Sequence, residues 1–331
     1  MSFYESFLRP LLFRFDAETA HHLALDQLAS LPPALIRATL GNKIHQPKTV
    51  AGITFPNPIG LAAGMDKNGL ALPGWEALGF GFVEIGTITA HAQPGNPQPR
   101  MFRYPQQKAV VNRMGFNNDG AQIVADRLDQ LKASGEWPKI PVGVNLGKSK
   151  ITELDDAATD YLKSFQLLKS FGDYFVINVS SPNTVGLRDL QDTERLRQIV
   201  QTLRNEDSSK PLFVKVAPDL EEDHAREIAV MAEQEGLSGL IATNTTLNHS
   251  SLPKEQDQTG GLSGAPLRER ALWLQKILQS STKLPIIASG GVMDGSAARE
   301  KFDAGASLVQ IYTGFVYRGP GLIREIAEAL R

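Results

Sequence analysis

From residue 46 onward, short apolar runs rich in Val and Ile alternate with stretches of helical periodicity. Eight such runs stand out, at 57–64, 80–89, 141–147, 174–180, 211–218, 239–245, 284–292 and 308–314. Several are almost unbroken in apolar residues, as parallel strands covered on both faces are. Helical patterns fill the intervals, most plainly at 194–204, 221–235 and 267–280. Eight β-then-α units match a (β/α)8 TIM barrel in number and in length, so the expected fold class is α/β. Residues 49–55 predict an additional hairpin across the barrel floor. The loop after Thr89 is long and rich in Pro and Gly, and loops of that length in compact domains usually serve function.

The first 31 residues have another pattern. Phe3, Phe7 and Leu11 recur at a spacing of four, with Tyr4, Leu8, Leu12 and Phe15 beside them, which predicts a strongly apolar helical stripe. Glu5, Arg9 and Arg14 interrupt it, so the segment is too short and too charged to span a bilayer. It also lacks the layout of a signal peptide. Asp16 is placed to cap a second helix carrying Leu23, Leu25 and Leu28, and Pro32-Pro33 separates this piece from the rest of the chain. Such helices either pack on the body of the protein or lie in a membrane interface, and the pattern alone leaves both open. The expected division is a helical segment at 1–45 and a barrel at 46–331.

Composition narrows the chemistry. The chain has 331 residues, 42% hydrophobic and 21% charged, enough to bury a core. Lys and Arg number 34 against 36 Asp and Glu, so there is no basic excess of the kind a nucleic-acid surface needs. With no cysteine there is no disulfide, thiolate zinc site, Cys-ligated iron–sulfur cluster or Cys nucleophile. The six histidines show no ligand spacing; His21 and His22 are adjacent and point about 100° apart on a helix, so no metal site is expected. Residues 142–149 imitate a phosphate-binding P-loop but have Val142 at the first required glycine, and no G-x-G-x-x-G comes after a strand.

Polar residues gather where the eight strands end. Lys67, Thr87 and Asn145 belong to the first three. Asn178, Ser181 and Asn183 cluster at the fourth, Lys215 at the fifth, and Thr243, Asn244 and Thr245 at the sixth. Gly290-Gly291 and Tyr312-Thr313-Gly314 end the last two, where barrels commonly hold phosphate. A barrel brings all these ends to one face, where its active sites lie. On these grounds an isomerase or lyase that binds a phosphorylated substrate, or a binding protein without activity, remains open beside a cofactor enzyme.

Six motifs close that choice: Gly-Leu-Ala-Ala-Gly-Met-Asp-Lys-Asn (60–68), Asn-Arg-Met-Gly-Phe-Asn-Asn (112–118), Asn-Val-Ser-Ser-Pro-Asn-Thr (178–184), Thr-Asn-Thr-Thr (243–246), Gly-Gly-Leu-Ser-Gly (260–264) and Gln-Ile-Tyr-Thr-Gly (310–314). Together they resemble the dihydroorotate dehydrogenases over nearly the whole chain, and most closely the membrane-associated, quinone-dependent class 2. The resemblance implies an FMN barrel that oxidises dihydroorotate to orotate in pyrimidine biosynthesis. It implies Ser181 as the base and Lys67, Asn112, Arg113, Met114, Gly115, Phe116, Asn178, Asn183, Asn244 and Thr245 as substrate-binding. FMN would be surrounded by Ala63, Gly64, Met65, Asp66, Lys67, Thr87, Asn145, Asn178, Lys215, Thr243, Gly264, Gly291, Tyr312 and Thr313. Family members often carry Ser at position 313; the Thr here keeps the hydroxyl. The classes that use Cys as base do not fit a chain with none. The resemblance also places Arg103 and Tyr312 near a quinone head, makes the N-terminal helices its entrance, and implies a peripheral protein on the cytoplasmic face of the cell membrane. A monomer is expected.

Overall fold

Strands buried on both faces need no alternation of polar and apolar residues. In the computed structural model, which describes residues 3–184 and 186–331, eight runs of that kind close into a parallel barrel. The chain forms β1 (Lys48–Val50), β2 (Ile53–Phe55), β3 (Ile59–Leu61), β4 (Phe82–Ile88), β5 (Met101–Tyr104), β6 (Ala109–Asn112), β7 (Val142–Leu146), β8 (Tyr174–Asn178), β9 (Leu212–Val216), β10 (Gly239–Ala242), β11 (Gly261–Gly264), β12 (Ile286–Ser289) and β13 (Leu308–Ile311). The barrel runs β3-β4-β7-β8-β9-β10-β12-β13 and closes where β13 pairs with β3. Each barrel strand lies inside its expected run but stops short of it, because the polar ends leave the ladder to become loops.

The helices between strands match the expected periodicity closely, at Thr193–Glu206, Glu222–Gln234 and Arg268–Ser281. The first shows why. Asp192 caps it, accepting from the backbone N–H groups of Glu194 and Arg195 at 3.1 and 3.2 Å, and Leu196, Ile199, Val200 and Leu203 form its buried face.

β1 and β2 form the expected antiparallel hairpin. Val50 and Phe55 from it pack with Phe82, Tyr174, Phe213, Ile241 and Leu308, plugging the lower barrel with aromatic rings. Phe55 and Phe82 meet edge-on with centroids 5.1 Å apart, and Tyr174 and Phe213 do the same at 5.4 Å. Gly60 and Gly143 make room for this layer: a Cβ at either would run into the ring of Phe82 or Tyr174.

One sheet was not expected. The loop after β4 folds back as β5 and β6, and β11 from the loop after β10 adds to β6, giving an antiparallel sheet beside the barrel mouth. Tyr104, Ala109, Val111, Leu252 and Leu262 give it a small core of its own. These strands are only four residues long, too short for a period of two to register against the Pro- and Gly-rich surroundings.

The N-terminal segment both packs and exposes apolar surface. Tyr4–Leu8 winds as a π-helix into Arg9–Leu12, succeeded by helices Ala17–Ser30 and Pro33–Thr39. Met1 and Ser2 of this segment lie outside the described residues. Asp16 caps as expected, accepting from the N–H groups of Glu18 and Thr19 at 3.0 Å each. Of the leucines expected on this helix, Leu25 is buried, Leu28 is partly buried and Leu23 is exposed. The Tyr4 hydroxyl donates to the Val316 carbonyl at 2.7 Å, and Arg103 donates to the carbonyls of Leu12 and Phe15 with its guanidinium 4.4 Å over the Phe13 ring. Yet Phe3, Phe7 and Leu11 remain 64%, 67% and 53% exposed. Among the described residues no helix is long and apolar enough to cross a membrane.

Phe82→Ala empties the centre of a sealed layer and is expected to lower the unfolding free energy by about 3–5 kcal/mol. Urea denaturation monitored by tryptophan fluorescence checks this, and a loss under about 1 kcal/mol would mean that the layer collapses to fill the gap.

Candidate active site

Strands of the barrel and of the sheet beside it carry residues to one mouth, and there the structure opens a cavity of about 1020 Å³, mouth included. Its floor is a polar network hung from one sealed carboxylate. Glu84 of β4 is fully buried and accepts from Asn145 Nδ2 at 2.7 Å and Gln310 Nε2 at 2.5 Å. Asn145 Oδ1 in turn accepts from the Thr87 hydroxyl at 2.6 Å and from Asn178 Nδ2 at 3.0 Å. Asn178 Oδ1 accepts from the Ser180 hydroxyl at 2.9 Å, and Asn244 Nδ2 donates to Ser180 Oγ at 3.0 Å. Four barrel strands and the loop after β10 are thus tied together by neutral amides and hydroxyls, and among the described residues the buried Gln310 Oε1 is the network atom left without a hydrogen-bond partner.

Two ammonium groups, of Lys67 and Lys215, face this cavity, and no carboxylate lines it among the described residues. Neither ammonium has a hydrogen bond or ion pair among those residues. Burial pushes the Lys67 pKa down to about 8; Arg100 adds to the fall while Glu18 and Asp66 oppose it. Burial also lowers Lys215, opposed by Glu84 beneath it. Positive charge that no cavity-lining carboxylate meets directly, in a pocket walled by amides, suits an anion.

Ser181 sits on the turn after β8, nearly buried, and its Oγ accepts from the Asn183 N–H at 3.2 Å. Asn183 Nδ2 donates to Asn112 Oδ1 at 3.1 Å, joining this turn to β6. On the far side, Gly290 and Gly291 come after β12 with positive φ, and a Cβ on Gly291 would strike the Arg268 backbone. Across from them the Ser263 and Thr313 hydroxyls are 2.8 Å apart.

The cavity brings together Ser181, Lys67, Asn112, Met114, Gly115, Phe116, Asn178, Asn183, Asn244 and Thr245, and also Ala63, Gly64, Thr87, Lys215, Thr243, Gly264, Gly291, Tyr312 and Thr313. Four residues assigned to substrate or FMN do not line it, nor does Arg103. Arg113 turns outward, 4.6 Å over the Phe102 ring, donating to the carbonyls of Pro99 and Thr259 at 3.0 and 3.2 Å. Met65 packs into the core. Asp66 is sealed, accepting from the N–H groups of Leu70 and Ala71 and from Trp75 Nε1 at 2.8 to 3.0 Å, so it shapes the turn after β3. Asn145 is fully buried within the floor network, beneath the residues that line the cavity. Ser263 and Gln310 line the cavity without having been assigned to it, although they stand within the motifs at 260–264 and 310–314; Glu84 had no signal, being one acidic residue in an apolar run.

A closed parallel barrel with a cationic, amide-walled mouth defines an α/β-barrel enzyme that handles an anionic ligand. The chain belongs to the dihydroorotate dehydrogenase family, whose profile matches residues 46–331. It is 52% identical to a dihydroorotate dehydrogenase (quinone) of Salinispora arenicola, covering 99% of each chain. It is 50% identical to one of Gloeobacter violaceus, covering 97% of this chain and 92% of that one. A crystal structure of DHODH from Eimeria tenella in complex with ferulenol superposes with a TM-score of 0.88 at 37% identity, over 95% of this chain and 90% of that one.

Lys67 carries charge below its pKa and loses it above, so a carboxylate ligand held by it is expected to bind more weakly as pH rises through about 8. Orotate titrations of the holoenzyme from about pH 6 to about pH 10 check this. Affinity that stays flat over that range would remove Lys67 as the anion's partner.

Proposed function

We propose that the chain is a quinone-dependent dihydroorotate dehydrogenase of pyrimidine biosynthesis, with FMN as its cofactor and the cytoplasmic face of the cell membrane as its place of work. The observation that carries the reading is the meeting of Ser181, two unpaired lysines and an amide cluster in a single cavity. An isomerase or lyase for a phosphorylated substrate would use the glycine loops after β12 and β13 but has no need for a serine flanked by four asparagines.

The residues fit a flavin mononucleotide. The cavity lies at the barrel mouth and is lined by glycines, hydroxyls, amides and two ammonium groups, a donor set that suits a phosphorylated, planar cofactor. The backbone at Gly291 leaves no room for a side chain, as a phosphate cradle requires, and the Lys215 ammonium is buried and lacks a partner among the described residues. Gly264, Gly291 and Thr313 would hold the phosphate end, and Thr87, Asn178, Lys215 and Thr243 the ring. FMN bound there supplies the acceptor for the hydride that leaves C6 of dihydroorotate. Overall the substrate loses that hydride and a C5 proton, a C5=C6 double bond forms, and a quinone takes up two electrons and two protons.

The chain's own part is binding and proton transfer. Lys67 pairs with the substrate carboxylate, and Asn112, Asn178, Asn183 and Asn244 offer paired donors and acceptors to the amide edges of the ring. Ser181 takes the C5 proton. A hydroxyl is a weak base, but the Asn183 N–H already points at Ser181 Oγ and favours negative charge there. Pro182 holds Ser181 extended. Thr184 Oγ1, buried with no partner among the described residues, is the next hydroxyl along the same turn and suits the outgoing proton. The exposed stripe of Phe3, Phe7 and Leu11 suits the interfacial layer of a membrane, where a quinone dissolves. Arg103, held against Leu12, Phe13 and Phe15, and Tyr312, which lines the cavity, would meet the quinone head in this reading. The chain works as a monomer in this reading.

Ser181→Ala is expected to retain flavin and bind orotate while slowing anaerobic flavin reduction by dihydroorotate at least about 100-fold. Stopped-flow mixing near neutral pH measures it, and an unchanged rate would strip Ser181 of the role of base. Phe7→Glu combined with Leu11→Glu is expected to abolish co-sedimentation with anionic vesicles and spare flavin reduction. Undiminished sedimentation would place membrane contact elsewhere.

A further inference from the structure

Glu18 and Arg100 are both charged and both nearly buried, 5% and 7% exposed, yet neither lines the cavity. Glu18 belongs to the N-terminal helix Ala17–Ser30, and Arg100 ends the loop that leads into β5. Arg100 grips the Glu18 carboxylate with Nε at 3.1 Å and Nη2 at 2.7 Å. Its remaining arm, Nη1, donates to the carbonyls of Pro94 and Asn96 at 2.6 and 2.8 Å. The fork is rigid and planar, so the position of the carboxylate sets the position of that loop.

Asn96 carries the connection onward. Its Nδ2 donates to the Arg113 carbonyl at 3.0 Å and to the Asn183 carbonyl at 3.2 Å, and its own N–H donates to the Met114 carbonyl at 2.9 Å. Gly115 permits this approach, because a Cβ there would lie 2.8 Å from the Asn96 amide. Asn183 in turn holds Asn112 and Ser181. An unbroken path of hydrogen bonds therefore leads from the N-terminal segment, through Glu18, Arg100, Asn96 and Asn183, to the Ser181 hydroxyl.

We propose that Asn96, set by the Glu18–Arg100 pair, is a positioning residue for Asn183 and Ser181, so that the N-terminal segment fixes the geometry of the dihydroorotate end of the site. The inference rests on the function proposed above and extends it. The segment then does more than face a membrane: the two ends of the catalytic cycle share one mechanical support. A buried charge pair suits this task better than apolar packing, since a guanidinium fork tolerates little change in its partner's position.

The test uses holoenzyme variants Asn96→Ala and Glu18→Gln, the second nearly isosteric. Each is expected to raise the orotate Kd and slow limiting flavin reduction by dihydroorotate, by about 3- to 10-fold, the worth of one hydrogen bond. Reoxidation by a water-soluble quinone and flavin content should stay at the wild-type level. The double variant should be no worse than the more severe single one, because both act on one path. Unchanged orotate affinity and reduction in both variants would overturn the proposal, as would additive effects in the double variant. So would an equal loss in both half-reactions accompanied by a lower melting temperature, the mark of a merely structural tie. A wild-type protein that dihydroorotate fails to reduce would instead overturn the functional reading itself, and the relay with it.

Discussion

A carboxylate sealed inside a barrel must be hydrogen-bonded on both oxygens, and the partners that Glu84 recruits decide what the active site offers. A carboxylate only accepts, so Asn145 must turn its NH2 group downward and its carbonyl up. That carbonyl takes the Thr87 hydroxyl and the Asn178 amide, which spends the donors of Asn178 and leaves its oxygen facing Ser180 and Asn244. One buried acid thus fixes the orientation of a chain of amides that would otherwise flip freely. The same anion supports the ammonium of Lys215 above it, against the burial that lowers its pKa. The floor is neutral and oriented, and two ammonium groups face the cavity above it.

The N-terminal segment is joined to this site by polar contacts and turned away from it by apolar ones. Its inner side is fastened by Tyr4, Glu18 and the carbonyls that Arg103 holds, while Phe3, Phe7 and Leu11 look outward. The sequence pattern left packing and membrane contact as alternatives for these helices. The structure shows the packing on one side and leaves Phe3, Phe7 and Leu11 exposed on the other, an arrangement that hydropathy cannot separate because Tyr4 and Glu5 interleave with the phenylalanines.

Legibility tracked the strength of the local signal. Buried parallel strands declare themselves in runs such as Tyr174–Asn178, and the capped helix Thr193–Glu206 announces both its start and its buried face. The polar strand ends were legible because the barrel gathers them irrespective of how each loop is built. What escaped depends on pairing across long stretches of chain. β6 finds its two partners in different loops, and Glu18 meets Arg100 from 82 residues away, so neither leaves a periodic trace. Asp66 and Arg113 were legible as members of motifs, but their position beside true cavity residues disguised them: each shapes the backbone that presents its neighbours.

The sheet of β5, β6 and β11 has a consequence for remodelling the protein. Loops at a barrel mouth are ordinarily treated as separate cassettes, each exchangeable without regard to the others. Here the excursions after β4 and β10 are laced by a shared ladder, with Gly261 opposite Asn112 and Gly264 opposite Ala109. Shortening or grafting one of them strands the backbone of the other, so these two excursions form a single heritable unit, and new specificity built on this scaffold must exchange both at once.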